Sequence, residues 1–404
     1  MNASSERPRL PAVDGEKLRF EPLEARAVGA LAAIYGVRML GLFLLLPVLA
    51  LYAGGLPGGT PLLAGLAVGA YGLTQACLQI PFGLASDAIG RRPVIAVGLI
   101  LYAAGSLLGA AATSVWTVIV ARMVQGAGAV SGPVTALLAD LTRSEVRTRA
   151  MALIGITIGA SFVASLVAAP LLQAAIGVPG IFLAMAVLAA VALALLYLVV
   201  PLRAGAPRAA RSGAGAGLAG ALRADLAPYY LGIFALSAVL TATFVGVPHA
   251  LRDEHAIGVS LHWRTYLGVF AASLPPTIPL VLYSERSRAP DAVMRLGIAI
   301  LMFALGALAM VHDRYWPLCV ALTAFFAAFN YLEARLPARL SQAAGPEVRG
   351  AALSMFATAQ FLGSFAGGFA AGWLFGSPAG LAGVFGVASL AALAWLLAVR
   401  PRPR

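Results

Sequence analysis

The sequence predicts an all-α integral membrane protein of twelve transmembrane helices, arranged as two related six-helix bundles. Three observations predict it: long apolar runs, scarce charge, and a strict segregation of arginine. Of 404 residues, 61% are hydrophobic and only 11% are charged, where a soluble chain carries roughly 25% charged residues. A spanning helix needs about 20 mostly apolar residues, so twelve use ~240, close to the whole apolar inventory. The runs are continuous rather than alternating, which argues against a β-barrel.

The apolar segments lie near 27–53, 62–84, 92–112, 115–139, 149–175 and 179–200, then near 227–251, 264–284, 293–311, 315–337, 348–375 and 379–399. The chain therefore divides into a tail (1–26), a first bundle (27–200), a linker (201–226), a second bundle (227–399) and a short tail (400–404). Between Arg203 and Asp225 the linker is rich in Arg, Gly, Ala and Pro, a composition that suits a flexible connection. The polar first residues, with Pro8, Pro11, Glu16, Lys17 and Arg19, do not read as a cleavable signal peptide.

Orientation follows from the basic residues. With the N-terminus in the cytoplasm, that side holds all 28 Lys and Arg except Arg252, Arg264, Arg314 and the two intrahelical residues Arg38 and Arg122. This is the positive-inside asymmetry. It requires an even number of spans, with both termini cytoplasmic in a cell inner membrane. The net charge of +12 is thus spread over short loops, unlike the grouped basic surface of a nucleic-acid-binding domain. The halves also repeat: Glu145-Val146-Arg147 recurs as Glu347-Val348-Arg349, and Pro47 as Pro248 at nearly the same spacing. Parallel repeats with a site between them are a transporter architecture.

Cys77 and Cys319 fall inside apolar runs and read as packing residues without metal-ligand spacing. No nucleotide loop, His/Cys cluster or acid pair at a membrane face supports an enzyme or sensor. No cofactor is expected.

The stretch Gly83-Leu84-Ala85-Ser86-Asp87-Ala88-Ile89-Gly90-Arg91-Arg92-Pro93 resembles the signature loop of the major facilitator superfamily, G-x-L-x-D-x-x-G-R-R/K. Gly83 would admit a neighbouring helix and Gly90 a tight turn. The resemblance implies that Asp87 faces the start of the eleventh helix, near Arg349 and Gly350. There an anion gains ~0.3–1 kcal/mol, or up to ~2 when partly buried, enough to latch one conformation. Arg91 and Arg92 are expected to pair with Asp87 or Asp140. In the fourth helix, Arg122-Met123-Val124-Gln125-Gly126-Ala127-Gly128 is similar to the superfamily's R-x-x-Q-G-x-G. An arginine within a membrane costs ~2.5 kcal/mol or more unless paired or hydrated, so Arg122 either snorkels outward or, as the resemblance implies, turns inward near the first helix, where with Arg38 and Gln125 its charge can couple protonation to shape. Gly126 and Gly128 suit close helix packing.

Further segments narrow the resemblance: Arg38-Met39-Leu40-Gly41, Tyr71-Gly72-Leu73-Thr74-Gln75, Gln79-Ile80-Pro81-Phe82, Phe329-Asn330-Tyr331-Leu332-Glu333 and Gln360-Phe361-Leu362-Gly363. Together they are similar to the YajR-like branch, grouped with proton-coupled drug efflux proteins and monomeric by family default. Two features depart from it. The sequence stops at Arg404, without the small C-terminal soluble domain of that branch's namesake. The fifth helix has Gly155, Gly159 and Ala168-Ala169-Pro170-Leu171 where drug–proton antiporters carry spaced glycines ending in G-P-x-x-G-G.

The resemblance implies alternating access, with a proton gradient as the driving force and protons and a small molecule as partners. Glu333 is the candidate proton site. It is either a titrating acid or half of a fixed pair with Arg335 or Arg339. His249 and His262 read as residues of the outer interface. Phe43, Gln75, Gln79, Phe162, Asn330 and Gln360, with Phe244 and Phe326, are candidate cavity residues, an apolar lining that favours amphipathic or neutral solutes. An uncoupled facilitator or a metabolite importer on the same fold is the alternative.

Overall fold

The computed structural model describes residues 20–201, 219–287 and 289–399; most of the expected linker, residues 1–19 of the first tail and the whole of the second tail lie outside them. The described residues are helical throughout, without strands. Nine helices among them are long and apolar enough to cross a membrane. In chain order the elements are α1 (Pro22–Leu45), α2 (Leu49–Gly54), α3 (Pro61–Ile89), α4 (Arg91–Ala110), α5 (Val115–Ala127), α6 (Ser131–Asp140), α7 (Ser144–Leu198), α8 (Ala227–His249), α9 (His262–Arg286), α10 (Pro290–Val311), α11 (Tyr315–Ala343), α12 (Gly345–Phe375) and α13 (Gly380–Ala398).

Helix α1 starts earlier than its apolar run. Pro22 occupies the first turn, and Glu21 and Glu24 form a reciprocal capping box. Glu24 is buried and accepts bonds from the Arg143 backbone N–H (2.9 Å), Nε (3.0 Å) and Nη2 (3.1 Å), which ties the start of α1 to the turn before α7.

Two predicted helices are interrupted. The first breaks over Leu46–Val48 around Pro47, which cannot donate to the helical ladder. Its repeat partner Pro248 sits just before a π-helical turn, Ala250–Glu254. The fourth breaks between Ala127 and Ser131, where a Cβ on Gly128 would strike the Gly98 carbonyl of α4. The fifth and sixth segments are two helices that follow one another within α7, separated by a kink at Gly177 (φ 69°, ψ 173°), just before Pro179. The left-handed φ there favours glycine. The signature segment is mostly not a loop: α3 stays helical through Asp87 to Ile89, and Gly90 (φ 105°) alone reverses the chain into α4.

Helices α1, α3, α4, α5 and α7 pack on one another, and α8 to α13 do likewise. Small residues carry these contacts: Ser161 and Ser165 of α7 donate to the Gly36 and Leu40 carbonyls of α1 at 3.2 and 3.3 Å. The two groups meet chiefly where α3 lies on α12 and α7 on α9. At the Pro61 end of α3 the α3–α12 backbones are nearly in contact. A Cβ on Gly69 would lie 2.8 Å from the Phe365 carbonyl oxygen, and one on Gly368 would lie 2.7 Å from that of Gly65.

A Gly368→Val substitution is expected to destabilise the protein by about 1–3 kcal/mol through overpacking. Gly386→Ala, where nothing stands within 4 Å, should leave the melting temperature of the detergent-purified protein unchanged.

Candidate functional site

Closure at the Pro61 end leaves a cavity of about 810 Å³ that extends between the two groups of helices toward the Asp87 end. Its closed end is an aromatic plug. Phe162 of α7 meets Phe43 at 5.1 Å between ring centroids, Phe270 at 6.0 Å, Phe244 at 6.1 Å and Phe326 at 6.4 Å. These separations are those of favourable aromatic pairs. Phe43, Phe162 and Phe270 also line the cavity, whereas Phe244 and Phe326 stand behind its wall.

One wall is polar and basic. Arg122 lines it with its guanidinium 4.7 Å from the centre of the Tyr71 ring, a cation–π contact. Its Nη1 donates to Gln125 Oε1 at 2.9 Å, and Gln125 Nε2 donates to Ser106 Oγ at 2.8 Å. Arg38 is one layer deeper, donating from Nη2 to the Tyr71 hydroxyl at 2.8 Å and to Gln75 Oε1. From Gln75 the chain continues through Gln79 Oε1 (3.0 Å) to Ser131 (3.1 Å from Gln79 Nε2). Both arginines are 1% exposed, so Arg122 does not snorkel. Gln79 lines the cavity, while Gln75 is fully buried and positions Arg38 instead. Gly126 permits this geometry, because a Cβ there would collide with the Tyr71 carbonyl and the Thr74 hydroxyl.

On the opposite wall stand Asn330, Glu333 and Gln360. Gln360 Nε2 donates to Glu333 Oε1 at 3.0 Å; Glu333 Oε2 is buried and meets no donor in the described chain. A fixed pair with Arg339 is absent, because that guanidinium bonds Asp291 of α10. Asn330 Nδ2 donates to Ser273 Oγ at 3.4 Å.

At the mouth, Asp87 pairs with Arg91, and Arg91 Nε reaches Asp140 Oδ2 at 3.4 Å. Arg92 instead donates to the Val200 carbonyl. Asp87 and Gly350 line the same opening, but the Asp87 side chain is 59% exposed and is paired with the corner that follows its own helix. The Asp87 carboxylate is therefore engaged with Arg91 in this conformation. A Cβ on Gly83 would meet nothing within 4 Å, so no facing helix packs closely on it here.

Two further expectations change. His249 and His262 are buried rather than interfacial, at 2.7 and 3.0 Å from the Val245 and Ile257 carbonyls. Cys77 is exposed, not packed, and Cys319 is half-buried. Among the described residues no group of His, Cys, Asp and Glu could hold a metal ion. Tyr71 and Ser131 join the site although neither is among the expected site residues. Tyr71 lies one helical turn before Gln75 and so shares its face, which is the signal the sequence offers for it.

Residues 31–284 match the family model of the Major Facilitator Superfamily. The chain belongs to that superfamily. It is 37% identical over 380 residues to the inner membrane transport protein YajR of Escherichia coli (strain K12), covering 94% of this chain and 83% of that one. It is 32% identical over 130 residues to the multidrug resistance protein MdtH of Yersinia pestis (strain Pestoides F), 31% of this chain and 32% of MdtH. Among solved structures the nucleoside transporter NupG superposes with a TM-score of 0.72 at 13% identity, covering 94% of this chain and 98% of NupG. As a major facilitator protein the chain is a multi-pass membrane transporter of small molecules and not an enzyme.

Tyr71→Phe removes the hydroxyl that accepts from Arg38 and should cost about 1–3 kcal/mol, the cost of a buried donor left unsatisfied. Thermal unfolding of the purified variant against wild type checks this.

Proposed function

We propose that this transporter has twelve spans in two six-helix bundles and works by alternating access as a monomer in a cell inner membrane, exchanging protons for small amphipathic molecules in the direction of efflux. The observation that carries the coupling is Glu333. It is a cavity-lining carboxyl group whose bond comes from an amide and not from a cation, so protonation alters its charge without breaking a salt bridge. Such a group gives the proton a differential affinity for two conformations, and only differential affinity shifts an equilibrium.

The arginine distribution supports a cytoplasmic location for the Asp87 end and for both termini. The conformation described above is then open inward, with its outer side closed by the α3–α12 glycines and the Phe162 plug. In the outward-open state Asp87 would meet the N-terminus of α12 near Gly350. YajR, an inner membrane transport protein by name, supports the location, and the name of MdtH supports export; the degraded fifth-helix pattern argues for a coupling route that does not depend on it.

In proteoliposomes, an imposed pH gradient is expected to drive uptake or release of a fluorescent amphipathic substrate. Glu333→Gln should abolish the gradient dependence while leaving downhill exchange. A gradient response in that variant equal to wild type would remove Glu333 from the mechanism. Asp87→Asn should lower turnover by roughly two- to thirtyfold, the kinetic equivalent of losing an anion from a helix N-terminus, with membrane expression maintained. Wild-type turnover would leave Asp87 no role beyond setting topology.

A further inference from the structure

The deep part of the cavity wall formed by α1, α3 and α5 carries two guanidinium groups and, among the described residues, no carboxylate. Arg38 and Arg122 share one phenol, Tyr71, and each is 1% exposed. Their other bonds go to the neutral amides of Gln75 and Gln125. Arg38 Nε and Nη1 and Arg122 Nε are buried without an acceptor, as is the Tyr102 hydroxyl. The nearest acidic residues of this half are engaged elsewhere: Glu24 with Arg143, and Asp87 and Asp140 with Arg91 at the mouth. Glu333 lies on the opposite wall with Gln360.

Two like charges buried together without a counter-ion are costly, because the desolvation of each is uncompensated. An anion in the cavity relieves this. Arg122 supplies the contact, since it lines the cavity; Arg38 adds a second positive charge through the Tyr71 hydroxyl. Buried guanidinium groups bind planar oxyanions with strong charge-assisted bonds. Next to this subsite, Tyr35, Met39, Phe43 and Phe162 give the cavity an apolar surface.

We propose that Arg122, backed by Arg38 and Tyr71, is the subsite for the anionic group of the transported solute, and that the solute is a small organic carboxylate with an apolar body. This deepens the transport reading and rests on it, but binding needs no gradient, so the two fail separately.

The test is thermal stabilisation of the purified full-length protein in a nonionic detergent. The probes are a panel of aromatic and aliphatic carboxylates, each paired with its uncharged primary amide, with potassium chloride as the inorganic control. The acids should stabilise the protein more than their amides and more than chloride. In Arg122→Gln the apparent affinity for the acids should fall roughly tenfold or more, with the response to the amides unchanged. Equal effects of acid and amide, no response to any acid at millimolar concentration, or stabilisation by chloride equal to that by the acids would each overturn the assignment. So would an undiminished preference for acids in Arg122→Gln. If that variant does not fold, the acid–amide comparison on the wild-type protein decides alone. A loss of gradient-driven transport in Glu333→Gln with this preference intact would bear on coupling and not on the anion subsite.

Discussion

The conformation of this transporter rests on one backbone-to-backbone contact. Along one half of α3, Gly65 and Gly69 face Phe365, Gly368 and Gly372 of α12 so closely that a single methyl group would not fit. Without a hydrophobic driving force between helices in lipid, small residues that let backbones approach are a main source of association. Once the helices touch here, their inclination parts them at the other end. The cavity, its mouth between Asp87 and Gly350, and the exposure of the Asp87 carboxylate all result from that divergence. The aromatic plug around Phe162 reinforces the same closure on the α7–α9 side.

The interior is polarised between its two walls. One presents guanidinium groups held by a phenol and by glutamines; the other presents a carboxyl group held by a glutamine. Neither charge is cancelled within its own wall, and both face a shared space of about 810 Å³. Buried ion pairs are usually complete, because an unpaired partner is expensive to bury. A protein that leaves its charges incomplete on facing surfaces is arranged for a counter-charge that comes and goes. In the readings proposed above, that counter-charge is a proton for the carboxyl group and a solute for the guanidinium groups.

Much of this is legible in the sequence where the physics is one-dimensional. Apolar length, arginine placement and the Gly83–Arg92 segment each act along the chain, so helix positions and the family emerge from them. The helix breaks are less legible. Gly126 and Gly128 signal close packing, but whether a helix unwinds there depends on its neighbour, and Gly98 belongs to a different helix, α4. The same holds for the salt bridge between Glu24 and Arg143, and for the convergence of Arg38, Tyr71 and Arg122 from three helices. Their residue types are visible individually; their meeting depends on helix crossing. The full extent of α3 is hidden because polar residues near a membrane surface resemble a loop, although here they prolong the helix. Glu333 admits two roles on sequence grounds, and only the structure shows that one of its two candidate partners, Arg339, bonds Asp291 instead.

The turn at Gly177 has a mechanical meaning. Little chain separates the two spans of α7 there, and the ring of Pro179 stiffens the start of the second span. Phe162, before the turn, is seated in the plug; Phe182, after it, is fully buried against Gly109 of α4, whose missing side chain makes room for the ring. The two spans form a bent lever with no slack at its elbow. Phe162 in the plug and Phe182 against α4, the helix that begins at the Arg91–Arg92 corner, are joined through this one turn. A single glycine conformation thus fixes how the plug and the helix that leads to the signature corner are placed relative to each other.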